Sequence, residues 1–120
     1  MLFSETNFEE VTPIQAYGEN FFRICHKKVR GGIFVYSHII RSWHGFKDFS
    51  FLEEDLSSME MLFIGTGKNH NHIDKRFNSV LIDSGVILEV FSTPVACRAY
   101  NVTISGHRKV GALLAPILGN

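Results

Sequence analysis

The segment Gly65-Thr66-Gly67-Lys68 closes the apolar run Met61-Leu62-Phe63-Ile64 and precedes a helical pattern. Glycines in such a turn permit positive φ and close backbone approach, which suits a bound phosphate. Neither phosphate-binding template is complete. A P-loop needs Gly at 62 and Ser or Thr at 69, where the chain has Leu62 and Asn69. The dinucleotide pattern needs Gly at 70, which is His70. No cofactor is therefore expected, and two readings stay open: a plain tight turn, or a cradle for a small anionic ligand.

A second candidate opens at Thr93-Pro94. Thr is a good N-cap, and Pro fits the first helical position because its missing N–H has no partner there. Cys97 then lies near the first turn, and Cys97, Arg98 and Asn101 share one face through offsets of three and four. A helix N-terminus and an adjacent guanidinium both favour thiolate, so a reactive thiol is physically possible, but a buried, unreactive cysteine is the commoner state. No His lies within helical reach as a base. Arg98 and Asn101 read either as ligand contacts or as a polar network tying the helix to a loop. Arg108 could add positive charge beside the two turns.

Other clusters are weaker. His70-Asn71-His72-Ile73-Asp74 holds three possible metal ligands in one loop with no matched ligand elsewhere, so a solvated loop and no metal site are expected. His38 alternates within an apolar run and reads as a strand residue. Trp43, Phe46, Phe49 and Phe51 stand in a segment without clean period. Such aromatics either plug the edge of a core or form a protein-contact patch.

The elements that must position these residues fit one compact domain, because 120 residues are too few for two independent cores. Hydrophobic residues make up 45%, and 12 Lys+Arg balance 12 Asp+Glu. That balance argues against nucleic acid, which calls for a basic excess. The densest basic run is only His26-Lys27-Lys28-Val29-Arg30. No apolar run approaches the roughly 20 residues of a membrane span. Two cysteines, Cys25 and Cys97, make a poor disulfide framework and suggest a reducing compartment. The acidic start without Arg resembles neither a signal nor a transit peptide, so a bacterial cytoplasm is expected, or a mitochondrial matrix for a processed eukaryotic chain. Zero net charge permits a homo-oligomer.

Along the chain, residues 1–12 read as an acidic arm and 13–120 as the domain. Ile14–Tyr17 and Phe21–Ile24 around Gly18-Glu19-Asn20 predict a hairpin. Ile33–Ile40 reads as one long strand, Arg41–Phe51 as loop, and Leu52–Met59 as one or two helical turns. Met61–Ile64 is apolar at every position, as in a strand covered on both faces. Ile73, Phe77, Val80 and Leu81 mark an amphipathic helix ended by Gly85. Val86–Val90 is the next strand. A helix from Thr93 to about Ser105 and a strand over Val110–Leu114 follow. This alternation predicts an α/β fold with helices packed on a sheet.

Several of these pieces also resemble one family in order: Ala16-Tyr17-Gly18, Phe22-Arg23-Ile24, Trp43, Gly65-Thr66-Gly67, Glu89, and Ala96-Cys97-Arg98-Ala99-Tyr100-Asn101. The set is similar to the Mth938-like family, also called DUF498, whose mitochondrial member is a respiratory complex I assembly factor. The resemblance covers about Ile14 to Pro116 and implies a single three-layer α/β domain with a central mixed sheet. Where the family usually has Met-Asp-Thr, this chain has Phe91-Ser92-Thr93, and a family Glu-Gly-Arg turn appears as Gly106-His107-Arg108. Two acids are thus lost, which weakens an enzymatic reading. The resemblance implies a non-catalytic assembly or adaptor protein whose partners are complex I subunits or another assembly factor. The alternative is an anionic-ligand binder or enzyme, with its site between the Gly65-Thr66-Gly67 turn and the Thr93 helix start.

Overall fold

The computed structural model describes residues 12–53, 57–106 and 109–119. The strands are β1 (Ala16–Gly18), β2 (Phe21–Ile24), β3 (Lys27–Arg30), β4 (Gly32–Tyr36), β5 (Ile39–Trp43), β6 (Met61–Gly65), β7 (Ile87–Phe91) and β8 (Val110–Leu114). Helix α1 (Lys75–Asp83) joins β6 to β7, and α2 (Thr93–Ile104) joins β7 to β8. A 3-10 turn spans Ser50–Glu53.

Strand–helix–strand connections return the chain in the same direction, so β6 pairs parallel with both β7 and β8. Strand β4 is antiparallel to β5 and to β8. The result is a mixed sheet in the order β5-β4-β8-β6-β7. A smaller antiparallel sheet has the order β1-β2-β3.

The large sheet is the middle layer. On one face, Ile33, Val35, Phe63, Ala112 and Leu114 pack with Ala96, Cys97 and Tyr100 of α2 and with Phe22, Ile24 and Val29 of the small sheet. On the other, Phe34, Leu62, Ile64 and Leu113 pack with Phe77 and Leu81 of α1. The alternation of side chains along each strand feeds both clusters at once. It explains why Met61–Ile64 is apolar throughout.

Local chemistry sets the boundaries. Asp74 caps α1, its Oδ1 accepting from the N–H groups of Arg76 (2.9 Å) and Phe77 (3.1 Å). The helix therefore starts after Ile73. Gly85, with φ of 86°, ends it as expected.

Several expectations need correction. The long strand over Ile33–Ile40 is a hairpin that turns at Ser37, whose φ is 58°. His38 lies exposed at that turn rather than within a strand. Lys27–Arg30 of the basic run form strand β3, hidden from periodicity by its exposed cations. The helical turns assigned to Leu52–Met59 reduce, among the described residues, to the single 3-10 turn starting at Ser50. Thr12, assigned to the arm, is 2% exposed; its N–H donates to Ser37 O (3.2 Å) and its carbonyl accepts from Tyr100 Oη (2.9 Å). The rest of that arm lies outside the described residues.

Candidate functional site

The Gly65-Thr66-Gly67 turn and the start of α2 meet directly. Thr93, fully buried, donates its hydroxyl to Ala115 O (2.7 Å) and accepts from the Gly67 N–H (2.9 Å). The Thr93 N–H in turn donates to Gly67 O (2.8 Å), and the Thr66 N–H to Phe91 O (2.9 Å). Ser92, not Thr93, is the N-cap residue of α2, because the Thr93 hydroxyl is engaged across the sheet. Thr66 Oγ1 donates to Asn69 O (2.7 Å) and accepts from the Asn71 N–H (2.9 Å), folding the following loop over the turn. The N–H groups of Thr66, Gly67 and Thr93 that an anion would need are thus committed within the protein.

Gly65 has a packing reason of its own. A Cβ there would lie 2.8 Å from Thr93 Oγ1 and 2.9 Å from Thr93 Cα. The glycine lets α2 dock on the end of β6, and Gly67 takes the positive φ of 108° that the turn requires.

The other helix residues divide. Cys97 is 2% exposed, and burial pushes its thiol up to about 12 despite the neighbouring Arg98. Desolvation outweighs the guanidinium, so the thiol is protonated and inert at neutral pH. Asn101 accepts from the Ile14 N–H (2.8 Å) and donates to Ile14 O (2.9 Å), stitching α2 to the segment that leads into β1 of the small sheet. Arg98 is exposed. Arg108 lies outside the described residues.

The four aromatics form a core plug. Trp43 and Phe51 are 2% and 1% exposed, with Phe46 and Phe49 half-buried beside them. Phe46, Phe49, Phe51 and Trp43 surround the Phe77 ring at centroid distances of 5.0, 5.5, 5.7 and 5.9 Å. An irregular segment reaches this packing because Asp48 organises it: its carboxylate accepts from the N–H groups of His44 (2.9 Å) and Ser50 (2.9 Å) and from Ser50 Oγ (2.7 Å). Trp43 Nε1 donates to Asp48 O (3.1 Å). The expected contact patch at these residues is therefore inward-facing. In the histidine loop, the His70 and His72 rings lie 6.4 Å apart, while Asp74 is used as the α1 cap.

Arg98 instead stands at the mouth of an open groove of about 520 Å³ between α2 and the β6–β7 edge, lined mainly by Met61, Phe63, Glu89, Arg98, Ala99 and Val102. Its floor is apolar, with one carboxylate and one guanidinium at the rim. Exposed Val95 and Val102 of α2 and Ile87 of β7 extend the apolar surface around it. Strand β7 is an edge of the sheet. The spacing of Val95, Arg98 and Val102 at three and seven residues carried this face in the sequence, but only the position of β7 shows that no described element covers it.

A three-layer α/β domain with this mixed sheet is the fold of the Mth938-like proteins. A Bordetella pertussis protein described as a Mth938-like domain has a solution structure similar to this chain at a TM-score of 0.73 and 19% identity, over 96% of this chain and 92% of that one. A crystal structure described as an outer membrane protein of Bartonella henselae is similar at 0.82 and 29% identity, over 92% and 99%. The family model for the protein of unknown function DUF498/DUF598 matches residues 14–115, and the chain belongs to that family. An uncharacterized protein of Rhodobacter capsulatus is 36% identical over 96% of this chain and 93% of its own length. The mouse NADH dehydrogenase [ubiquinone] 1 alpha subcomplex assembly factor 3 is 24% identical over 93% of this chain, which spans 64% of that protein. No helix among the described residues is long and apolar enough to cross a membrane.

Proposed function

We propose that this chain is a non-catalytic assembly factor that docks by protein–protein contact on a partly built respiratory complex I from the cytoplasmic side of a bacterial membrane. The observation that carries the reading is the apolar groove between α2 and edge strand β7, uncovered among the described residues and rimmed by Glu89 and Arg98. Such a surface suits an apolar side chain of a partner flanked by charges of both signs. Similarity to the mouse assembly factor supports a protein partner of this class. Catalysis by the one helix cysteine is opposed by its burial and raised pKa. An anion site at the two turns is opposed by their mutual hydrogen bonds.

The test is complementation. Deleting the gene should deplete assembled complex I on native gels, and the wild-type chain should restore it. Ile87→Asp with Val102→Asp should fail to restore it while keeping the wild-type melting temperature, since both side chains are more than half exposed. Normal complex I in the deletion strain would defeat the reading.

A further inference from the structure

The basic run singled out in the sequence has no part in the groove. It lies on the small sheet. There Phe22, Ile24 and Val29 face the core, so alternation turns Phe21 and Arg23 of β2 and Lys28 and Arg30 of β3 outward. The register sets Arg23 directly opposite Lys28, and Phe21 opposite Arg30. Like charges directly opposite on one sheet face destabilise it. Among the described residues, none of these three cations has an ion pair; the contact that Lys28 makes is over the Phe21 ring, 4.5 Å from its centroid.

Backbone geometry adds a second element. Cys25 and His26 form a two-residue turn with φ of 54° and 61°, so Ile24 and Lys27 next to it exchange ladder hydrogen bonds. Alternation then points the N–H and C=O groups of Lys28 and Arg30 away from β2. Strand β3 is the outer strand of this sheet, and among the described residues no strand pairs with that side. The free ladder groups and the unpaired cations therefore belong to the same two residues.

We propose that this edge captures an extended acidic segment of a partner protein, added as a fourth strand, with acids at alternate positions facing Lys28 and Arg30. Ladder bonds supply affinity in this mode, and the alternate side chains supply selectivity. Two other accounts fit less. Lysines guard edge strands against self-pairing, but Arg23 sits on the middle strand, where it guards nothing. An anionic bilayer would match the charge, but Phe21 is half-buried under Lys28 rather than standing out as an anchor, and a bilayer makes no use of the ladder groups.

The experiment titrates the full chain with a labelled, end-blocked peptide alternating Glu with Val, and with its Gln counterpart. The Glu peptide should bind, the Gln peptide should bind at least about tenfold more weakly, and added salt should erode the difference. Arg23→Glu with Lys28→Glu should weaken binding about tenfold or more, whereas Lys75→Glu on α1 should not. Lys28→Ala and Lys28→Pro both remove the cation, but only Pro removes the outward N–H, so Pro should weaken binding further with the fold intact by circular dichroism. Equal binding of both peptides, or no binding, overturns the proposal. So does capture of phosphatidylserine vesicles without capture of the peptide. Aggregation of the charge-reversed variant with peptide binding unchanged would reduce the cations to edge protection and overturn it as well.

Discussion

Thr93 shows how one hydroxyl can decide a local structure. It satisfies the Gly67 N–H and the Ala115 carbonyl at once, in a site with no water access. Thr93→Val keeps the shape and leaves both groups unpaired, so a loss of about 2–4 kcal/mol in urea denaturation is expected, with Thr93→Ser much milder. Cys97 gives a chemical readout of the same burial: at pH 8 it should resist a maleimide that labels the half-buried Cys25, and react only when the chain unfolds. Asp48 gives a pH readout. Burial opposes its charge, but hydrogen bonds from Ser50 and His44 hold the carboxyl well below its usual range. Its folded pKa is depressed, so its stabilisation is present above the unfolded value of about 4 and lost as pH falls below it. Asp48→Asn should therefore cost about 1–2 kcal/mol at pH 7, and the gap between variant and wild type should shrink toward pH 3.

At the scale of elements, Gly65→Ala tests whether β6 and α2 are in direct contact. The added Cβ meets the Thr93 backbone, which cannot swing aside, so about 1–3 kcal/mol should be lost without any change in the turn's φ preference. The C-terminal elements were readable because each carries one clear signal: the unbroken apolar run of β6, the four-seven-eight spacing of α1, the Thr-Pro start of α2. The N-terminal half hid its elements for physical reasons. Strand β3 has one buried side chain, Val29, among exposed cations, so its period is masked. The β4–β5 hairpin turns on Ser37 and His38, neither a strong turn residue, and its apolar flanks merge into one run. The aromatic segment could not be assigned inward or outward, because Phe77, the ring it packs around, lies on a different element. The groove was legible on its helical side only, since edge position is a property of strand order.

Over the whole molecule, zero net charge conceals a division of surfaces. One face of the small sheet carries cations that no described residue pairs, while the groove beyond α2 is apolar with a single acid and a single base at its rim. A partner recognised through both would be held by one salt-sensitive and one salt-insensitive contact. The order of the large sheet has a further consequence. Its central strand, β8, follows every other described element along the chain, yet it joins β4 to β6. During synthesis, the β4–β5 hairpin and the β6-α1-β7-α2 unit emerge as two halves, each with an open strand edge and nothing between them. A chain cut before Val110 should show no cooperative unfolding transition. Neither half can close the large sheet alone, and pairing of β8 with both β4 and β6 is the step that joins them.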